Sequence, residues 1–391
     1  MKKKIKTINQ NVLMLNNKLL IVVNDASFFI SHRLSLAIHA KKNGYEVHVA
    51  AHGDYKSVSK IISSGLIFHE IPFFRSSANI FNEASTLLSL IKVYKKVSPN
   101  IVHHVTIKPI VYGGIAAIIT SIPFVVSAIS GLGFVFIEKK TTNFLKKNII
   151  KLIYKFLFRK KNNKVIFQNP DERNMLLSEN IVNENNSYLI KGAGVDVDVF
   201  TPKQIFQEIP VVVLAARMIW DKGVREYVNA ATILKDRGIK AKFLLVGGID
   251  YGYPNFIKKE KLQEWNKNGI ISWLGFCDNI HEIYQNSSIV CLPSFYSEGI
   301  PKSLIEAAAC AKPIVTTDMP GCREIVKDGF NGILVPPKNS LLLANALETL
   351  INNTELRSKY GSNGHNIVKK DFSSDIVNKM TLDLYTQFKN I

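Results

Sequence analysis

Cysteine is scarce in this sequence: four residues in 391, Cys277, Cys291, Cys310 and Cys322, with no CxxC spacing among them. That argues against a disulfide-stapled scaffold or a cysteine-based zinc site and suits reduced thiols in a cytosolic protein. The sequence offers no convincing metal cluster of His, Cys, Asp and Glu, and no cofactor is expected. Internal repeats of solenoid length and low-complexity tracts are missing too. The opening MKKKIKTINQNVLMLNNKLLIVV is basic, but Asn16, Asn17 and Lys18 break its apolar run before it could serve as a signal core. Residues 1–17 are therefore expected to form a flexible polar tail. Residues 109–137 are uncharged and long enough to span a bilayer, yet Pro109, Pro123 and several glycines divide them, so a buried helix followed by a buried strand is expected.

Acidic residues are few in the first half. Residues 1–203 hold 28 Lys and Arg against 12 Asp and Glu, an excess of 16, whereas the remainder holds 22 against 19, an excess of 3. Such a bias points to an acidic partner for the first half: nucleic acid, anionic lipid or a phosphorylated substrate. A length of 391 residues, 47% of them apolar, predicts two domains, each with its own core.

Short Val/Ile-rich runs alternate with helix-period segments. Strands are predicted at KLLIVVN (18–24), YEVHVAA (45–51), NIVHHV (100–105), PFVVSAI (123–129), KVIFQN (164–169) and SYLIKG (187–192). The stretch GAGVDVDVFTP (192–202) reads as a linker. A second set follows at PVVVLAA (210–216), AKFLLVGG (241–248), GIISWLG (269–275), SSIVCLPS (287–294), PIVTTD (313–318) and NGILVPP (331–337). Continuous apolar strands between helices predict parallel sheets buried on both faces, hence two doubly wound α/β domains. The expected division is an N-terminal domain over 18–200, a C-terminal domain over 201–372 and a final helix over 373–391.

In such sheets ligands collect beyond the carboxyl ends of the strands. There the segment SEGIPKSLIE (297–306) sets Glu298 and Glu306 eight positions apart around Pro301, which suits the first residue of a helix. A helix start leaves backbone amides facing outward and attracts phosphate. Glu306, inside the helix, could accept hydrogen bonds from the vicinal hydroxyls of a ribose, and Glu298 would face whatever lies beyond the phosphates. Arg217 closes one strand and Lys222 follows five residues later. Two cations are what a departing diphosphate requires for its growing charge. Taken alone, two acids eight apart read more simply as a helix cap or salt bridge at Glu306 and a solvated loop residue at Glu298; the surrounding residues reverse that preference.

RMIWDKG, PSFYSEGIPKSLIEAAACAKPIVTTDMPGCREIV and GAGVDVDVF together resemble the signature segments of the retaining nucleotide-sugar glycosyltransferases of family 4, which have the GT-B fold. The resemblance runs from about residue 18 to the end. It implies two Rossmann-like domains facing a cleft, with the donor held mainly by the second, the acceptor mainly by the first, and the C-terminal helix crossing back to the first. It implies that Arg217 and Lys222 contact the donor diphosphate, that Glu306 holds the ribose, and that Glu298 holds the sugar near the reacting carbon. The backbone of Gly299, Ile300, Pro301, Lys302, Ser303 and Leu304 would lie near the phosphates, and Gly275 and Phe276 near a base, usually uracil. No metal is required in such proteins.

NDASFFISHRLSLA, VHHVTIKPIVYGG, SAISGLGFVF and FQNPDE resemble a bacterial subgroup that builds surface polysaccharides and lipid-linked glycans. Its acceptors are commonly polyprenyl-diphosphate sugars, and His32, Arg33, His104 and Lys108 are the candidate acceptor contacts. His104 as a core histidine and His32 as a helix-start residue are the competing readings. Two departures stand out: SFFIS replaces a Gly-Gly loop, and no histidine follows the strand ending SAISGLG. Residues 139–161 combine nine Lys or Arg with Phe, Leu, Ile and Tyr, which predicts contact with an anionic membrane surface. The expected location is cytoplasmic, peripheral on the inner face of the cell membrane. A nucleotide-sugar epimerase of the same fold and a basic nucleic-acid-binding protein are the rival functions. No nucleic-acid-binding motif accompanies the charge, so no nucleic-acid partner is expected.

Overall fold

The computed structural model describes residues 17–74, 79–132, 141–203, 207–295 and 298–390, with side chains omitted at 141–147 and 389–390. The polar tail expected at 1–17 lies outside the described residues except for Asn17. The chain forms two compact units, one running to Ile190 and resuming at Val377, the other covering Lys191–Ile376.

In the first unit seven parallel strands lie in the order β3-β2-β1-β4-β5-β6-β7. They are β1 (Lys18–Asp25), β2 (Glu46–His52), β3 (Ile67–Glu70), β4 (Ile101–Val105), β5 (Phe124–Ile129), β6 (Asn163–Phe167) and β7 (Ser187–Leu189). The run Leu19 to Val23 in β1 is fully buried, as a central strand covered on both faces by helices must be. The second unit holds β8 (Val211–Ala215), β9 (Lys242–Val246), β10 (Ser272–Trp273), β11 (Ile289–Leu292), β12 (Ile314–Thr317) and β13 (Gly332–Val335). All six are parallel, in the order β10-β9-β8-β11-β12-β13. The chain doubles back between β1 and β4 in one sheet and between β8 and β11 in the other, so each unit has one crevice outside its strand ends where ligands gather.

Each predicted strand is present, but two edges differ from expectation. β3 was not foreseen: its four residues, IFHE, are half-exposed at the sheet edge and carry little of the apolar signal of a central strand. β10 is two residues long where seven were expected, because it pairs on one side only. The 109–137 stretch holds a π turn at Pro109–Gly113, the helix Gly114–Ile119 and β5. Among the described residues no helix is long and apolar enough to cross a membrane.

The unit boundary falls ten residues before the expected one. Gly192, at φ 69°, lies under the helix Lys302–Ala309, and a Cβ there would come within 2.9 Å of Ile305 Cδ1. The Val195 N–H donates to Phe372 O at 3.0 Å and the Ser374 N–H to Val195 O at 2.8 Å. The supposed linker is thus packed into the second unit. Past it, the helix Ser374–Thr386 buries Val377, Leu382, Leu384 and Tyr385 in the first unit's core, beside Leu19 and Ile21 of β1. Two polar contacts orient this helix: Asn378 Nδ2 donates to Ser35 Oγ at 2.8 Å, and the Tyr385 hydroxyl meets His103 Nδ1 of β4. Burial and the neighbouring Arg33 hold the His103 imidazole neutral, well below its ordinary pKa.

Tyr385→Phe keeps the ring and removes the hydroxyl from a buried histidine. We expect a loss of about 1–3 kcal/mol, read as a lower midpoint of urea unfolding; an unchanged midpoint would show that this contact does not fasten the helix.

Candidate active site

The carboxyl ends of β8 to β12 carry the charged residues singled out in the sequence. β8 leads to Arg217 and then to the short turn Trp220–Lys222; β11 leads to Ser294 and Glu298. These two loops flank the point where the strand order reverses, and they touch. Gly223 stands at φ 74°, and a Cβ on it would lie 2.0 Å from Pro293 O, so only glycine allows the approach. The Phe295 N–H donates to Asp221 O at 3.1 Å. Lys222 Nζ pairs with Glu298 Oε2 at 2.5 Å, both side chains being mostly buried. Ser294 Oγ lies 3.0 Å from Glu298 Oε1 and 3.3 Å from Asp221 O. The Thr317 hydroxyl, at the end of β12, donates to Ser294 O.

A third strand end sets the position of this loop. The helix Pro320–Ile325 follows β12, and a Cβ on Gly321 would stand 1.7 Å from Gly299 O and 2.8 Å from Glu298 O. The backbone of Glu298–Gly299 therefore rests directly on Gly321. Tyr296 and Ser297 lie outside the described residues.

The helix Lys302–Ala309 begins one residue later than expected: Pro301 is its N-cap, extended at φ −61° and ψ 118°, and supplies no side-chain cap. The Leu304 and Ile305 N–H groups both close on Pro301 O, at 3.1 and 3.4 Å. The Leu304 amide, expected to face phosphate, is thus already used within the first turn, while Gly299, Ile300, Lys302 and Ser303 precede that turn's closure. Glu306 is buried on this helix and pairs with Lys302 Nζ at 3.1 Å. Burial raises its carboxyl above the ordinary carboxylate range, and Lys302 opposes that rise.

Arg217 donates from Nη1 to Asp250 Oδ2 at 2.6 Å, and its guanidinium lies 5.6 Å from the centre of the Tyr253 ring. Half of its side chain is exposed, against a tenth for Asp250. Beyond β10, Gly275 turns at φ 70° and its carbonyl accepts from the Gly247 N–H at 2.7 Å. The Phe276 ring that follows is 73% exposed. Arg217, Lys222 and Lys302 thus each have a carboxylate partner within this strand-end cluster.

The four candidates in the first unit are not brought together in this way. His104 is fully buried in β4, with Nε2 2.8 Å from the Tyr94 hydroxyl, and burial drives its pKa down to about 3. It is a core histidine, which replaces the acceptor contact expected of it. Arg33 is also buried: it donates from Nη1 to His32 O at 2.9 Å, and desolvation lowers its pKa to about 10. It is a core cation between two helices and not a surface contact for an acceptor. His32 stacks on Phe28 at 4.2 Å and meets Ser31 Oγ through Nδ1 at 2.7 Å. Lys108, just past β4, donates to Glu83 Oε1 and to Phe74 O, both at 2.6 Å.

Sequence comparison fits this arrangement. Residues 198–367 match the family model "Glycosyl transferases group 1", and residues 18–169 match "Glycosyl transferase 4-like". The chain belongs to this family and is a glycosyltransferase. It is 31% identical over 347 residues to the N,N'-diacetylbacillosaminyl-diphospho-undecaprenol alpha-1,3-N-acetylgalactosaminyltransferase of Campylobacter jejuni, covering 85% of this chain and 89% of that one. It is 25% identical to the UDP-Gal:alpha-D-GlcNAc-diphosphoundecaprenol alpha-1,3-galactosyltransferase of Escherichia coli, covering 77% and 80%. Among solved structures, Anabaena HepE in complex with UDP and glucose superposes with a TM-score of 0.76 at 17% identity, over 95% of this chain and 100% of that one. That likeness establishes the GT-B fold.

Ser294, Asp250 and Gly321 are among the residues of the cluster that carried no role in the sequence reading. Gly321 had a signal, since a glycine directly after a helix-starting proline suits a close backbone approach.

Gly321→Ala should push the Glu298–Gly299 backbone off its seat. We expect transfer to fall by about 100-fold with both units still folded, checked by steady-state rates beside circular dichroism; wild-type rates would show that the loop's position is not critical.

Proposed function

We propose that this glycosyltransferase moves a hexose or N-acetylhexosamine from a UDP-sugar to a sugar carried on a polyprenyl diphosphate, or to a growing surface glycan. Transfer would retain anomeric configuration without a required metal. The observation that carries the proposal is the Lys222–Glu298 pair, set at the reversal of strand order beside a helix start with no side-chain cap. The Campylobacter and Escherichia relatives, both named for action on diphospho-undecaprenol-linked sugars, support the choice of acceptor.

The chemistry follows from the charges. A diphosphate seated near the Lys302–Ala309 helix start would draw Lys222 and Arg217 toward its oxygens. Glu298, relieved of part of its partner's charge, can then accept hydrogen bonds from hydroxyls of the donor sugar. Glu306, on the same helix, would hold the ribose, and the exposed Phe276 ring would lie against the base. As the bond from C1 to the phosphate oxygen breaks, negative charge grows on UDP and is met by the two cations. The acceptor oxygen bonds to C1 on the same face, and its proton passes to the departing phosphate. No side chain is assigned as a nucleophile.

The acceptor's lipid requires a membrane surface, and the helix Thr141–Phe158 suits the inner face of the cell membrane. Ile149, Leu152 and Phe156 are each more than half exposed, spaced along one helical face. Lys155, Arg159 and Lys160 surround them and line a depression with Leu152 and Phe156. Lys151 is committed elsewhere, to Glu179 at 2.5 Å. This composition is that of an interfacial helix at anionic lipid.

Two experiments test the reading. Glu298→Ala should cut turnover by about 100-fold or more while sparing UDP binding, whereas Arg217→Ala should weaken UDP affinity by about tenfold. Near-normal turnover and affinity in both, measured with UDP-sugars and a polyprenyl-diphosphate sugar by mass spectrometry and calorimetry, would refute the site. Changing Lys155, Arg159 and Lys160 to Gln should lower cosedimentation with phosphatidylglycerol vesicles by more than tenfold, at about 1 kcal/mol per basic residue. Unchanged cosedimentation would return the helix to an ordinary solvated face.

A further inference from the structure

Glu172 is a buried carboxylate for which the donor site has no use. It stands in the first turn of the helix Pro170–Ser178, directly after β6, and is 4% exposed. Its Oε1 accepts from the Leu132 N–H at 2.8 Å, and its Oε2 is buried with no hydrogen-bond partner among the described residues. Leu132 belongs to the turn that leaves β5, where Gly131 takes φ 111°. The Leu132 side chain is buried among Ile129, Tyr154 and Phe158. Ile129 pairs with Phe167 in register, so this turn runs beside Gln168 and Asn169. Asn169 in turn caps the helix by accepting from the Glu172 N–H at 2.9 Å. The contact therefore ties the exit of β5 to the exit of β6, at the end of the sheet where ligands collect.

A neutral acceptor would have served for structure alone. An unpaired carboxylate in this position costs stability whenever it ionises. Among the described residues, Asp171 and Tyr154 are the titratable groups that interact with it, and neither supplies a positive charge. Burial lifts the Glu172 carboxyl to about 7, with Asp171 adding to the rise and the Leu132 N–H and Asn169 opposing it. Its folded value thus exceeds its unfolded one: the protonated form favours the fold at low pH, and that contribution is lost as pH rises through 7. The ionised form is nonetheless the stronger acceptor for the Leu132 amide. Rising pH therefore tightens the turn while it weakens the fold, two effects of opposite sign.

We propose that Glu172 is a positioning residue for acceptor use, fixing through the Leu132 amide the turn that leaves β5 at the ligand end of the first sheet. This rests on the reading of the first unit as the acceptor-binding side. In the wild type the acceptor KM should fall as pH rises from 6 to 8, with donor KM flat and thermal stability declining. Glu172→Gln keeps an oxygen for Leu132 and should abolish that pH dependence while leaving acceptor KM within a few-fold of wild type. Glu172→Ala should raise acceptor KM by about tenfold, leave donor KM unchanged and speed hydrogen exchange at the Leu132 amide. The proposal is overturned if Glu172→Gln retains the pH dependence, or if Glu172→Ala shifts donor and acceptor KM together. Should the wild type transfer to no sugar acceptor, the functional reading fails instead, and amide exchange in the two variants still decides whether Glu172 holds the turn.

Discussion

The charged cluster of the second unit is built around one ion pair. Lys222 and Glu298 come from loops after β8 and β11, the two strands between which the sheet reverses its order. Neither charge is well solvated, so each needs the other: removing one partner of such a pair leaves an uncompensated charge, which costs far more than the pair itself contributes. The surrounding backbone exists to make the pair possible. Gly223 lets one loop meet the strand end of the other, Gly321 supports the Glu298–Gly299 backbone, and Ser294 holds the second carboxylate oxygen.

Much of this was legible in the chain. Central strands announce themselves because burial on both faces demands unbroken apolar runs, as in KLLIVVN and PVVVLAA. β3 escaped notice because a half-exposed edge strand is under no such demand, and IFHE has no long run to show. The acids and cations that the structure gathers at these strand ends were singled out from their place after strands and before a helix. Ser294 and Asp250 were not, since a serine or an aspartate in a loop gains its meaning only from what it touches.

The first unit was harder to read for a related reason. Histidines near strand ends look like ligand contacts in a sequence, yet His103 and His104 alternate along β4 and face the two buried sides of the sheet, one toward Tyr385 and the other toward Tyr94. A strand covered on both faces offers no exposed side for either ring. Arg33 is buried in the same way. Among the described residues at the exit of β5, a backbone amide is held by an acid more than thirty residues further on.

The Arg217–Asp250, Lys222–Glu298 and Lys302–Glu306 pairs bear on which anions this cluster attracts. Three cations clustered without counter-charges would act as a trap for any small anion in the cell. With each one answered by a carboxylate, the three pairs are together neutral, and free phosphate would gain little by binding there. On the proposed reading, a ligand that offers hydroxyls to the acids while it offers oxygens to the bases would satisfy both sets at once, so the resting charge balance would favour a sugar joined to a diphosphate.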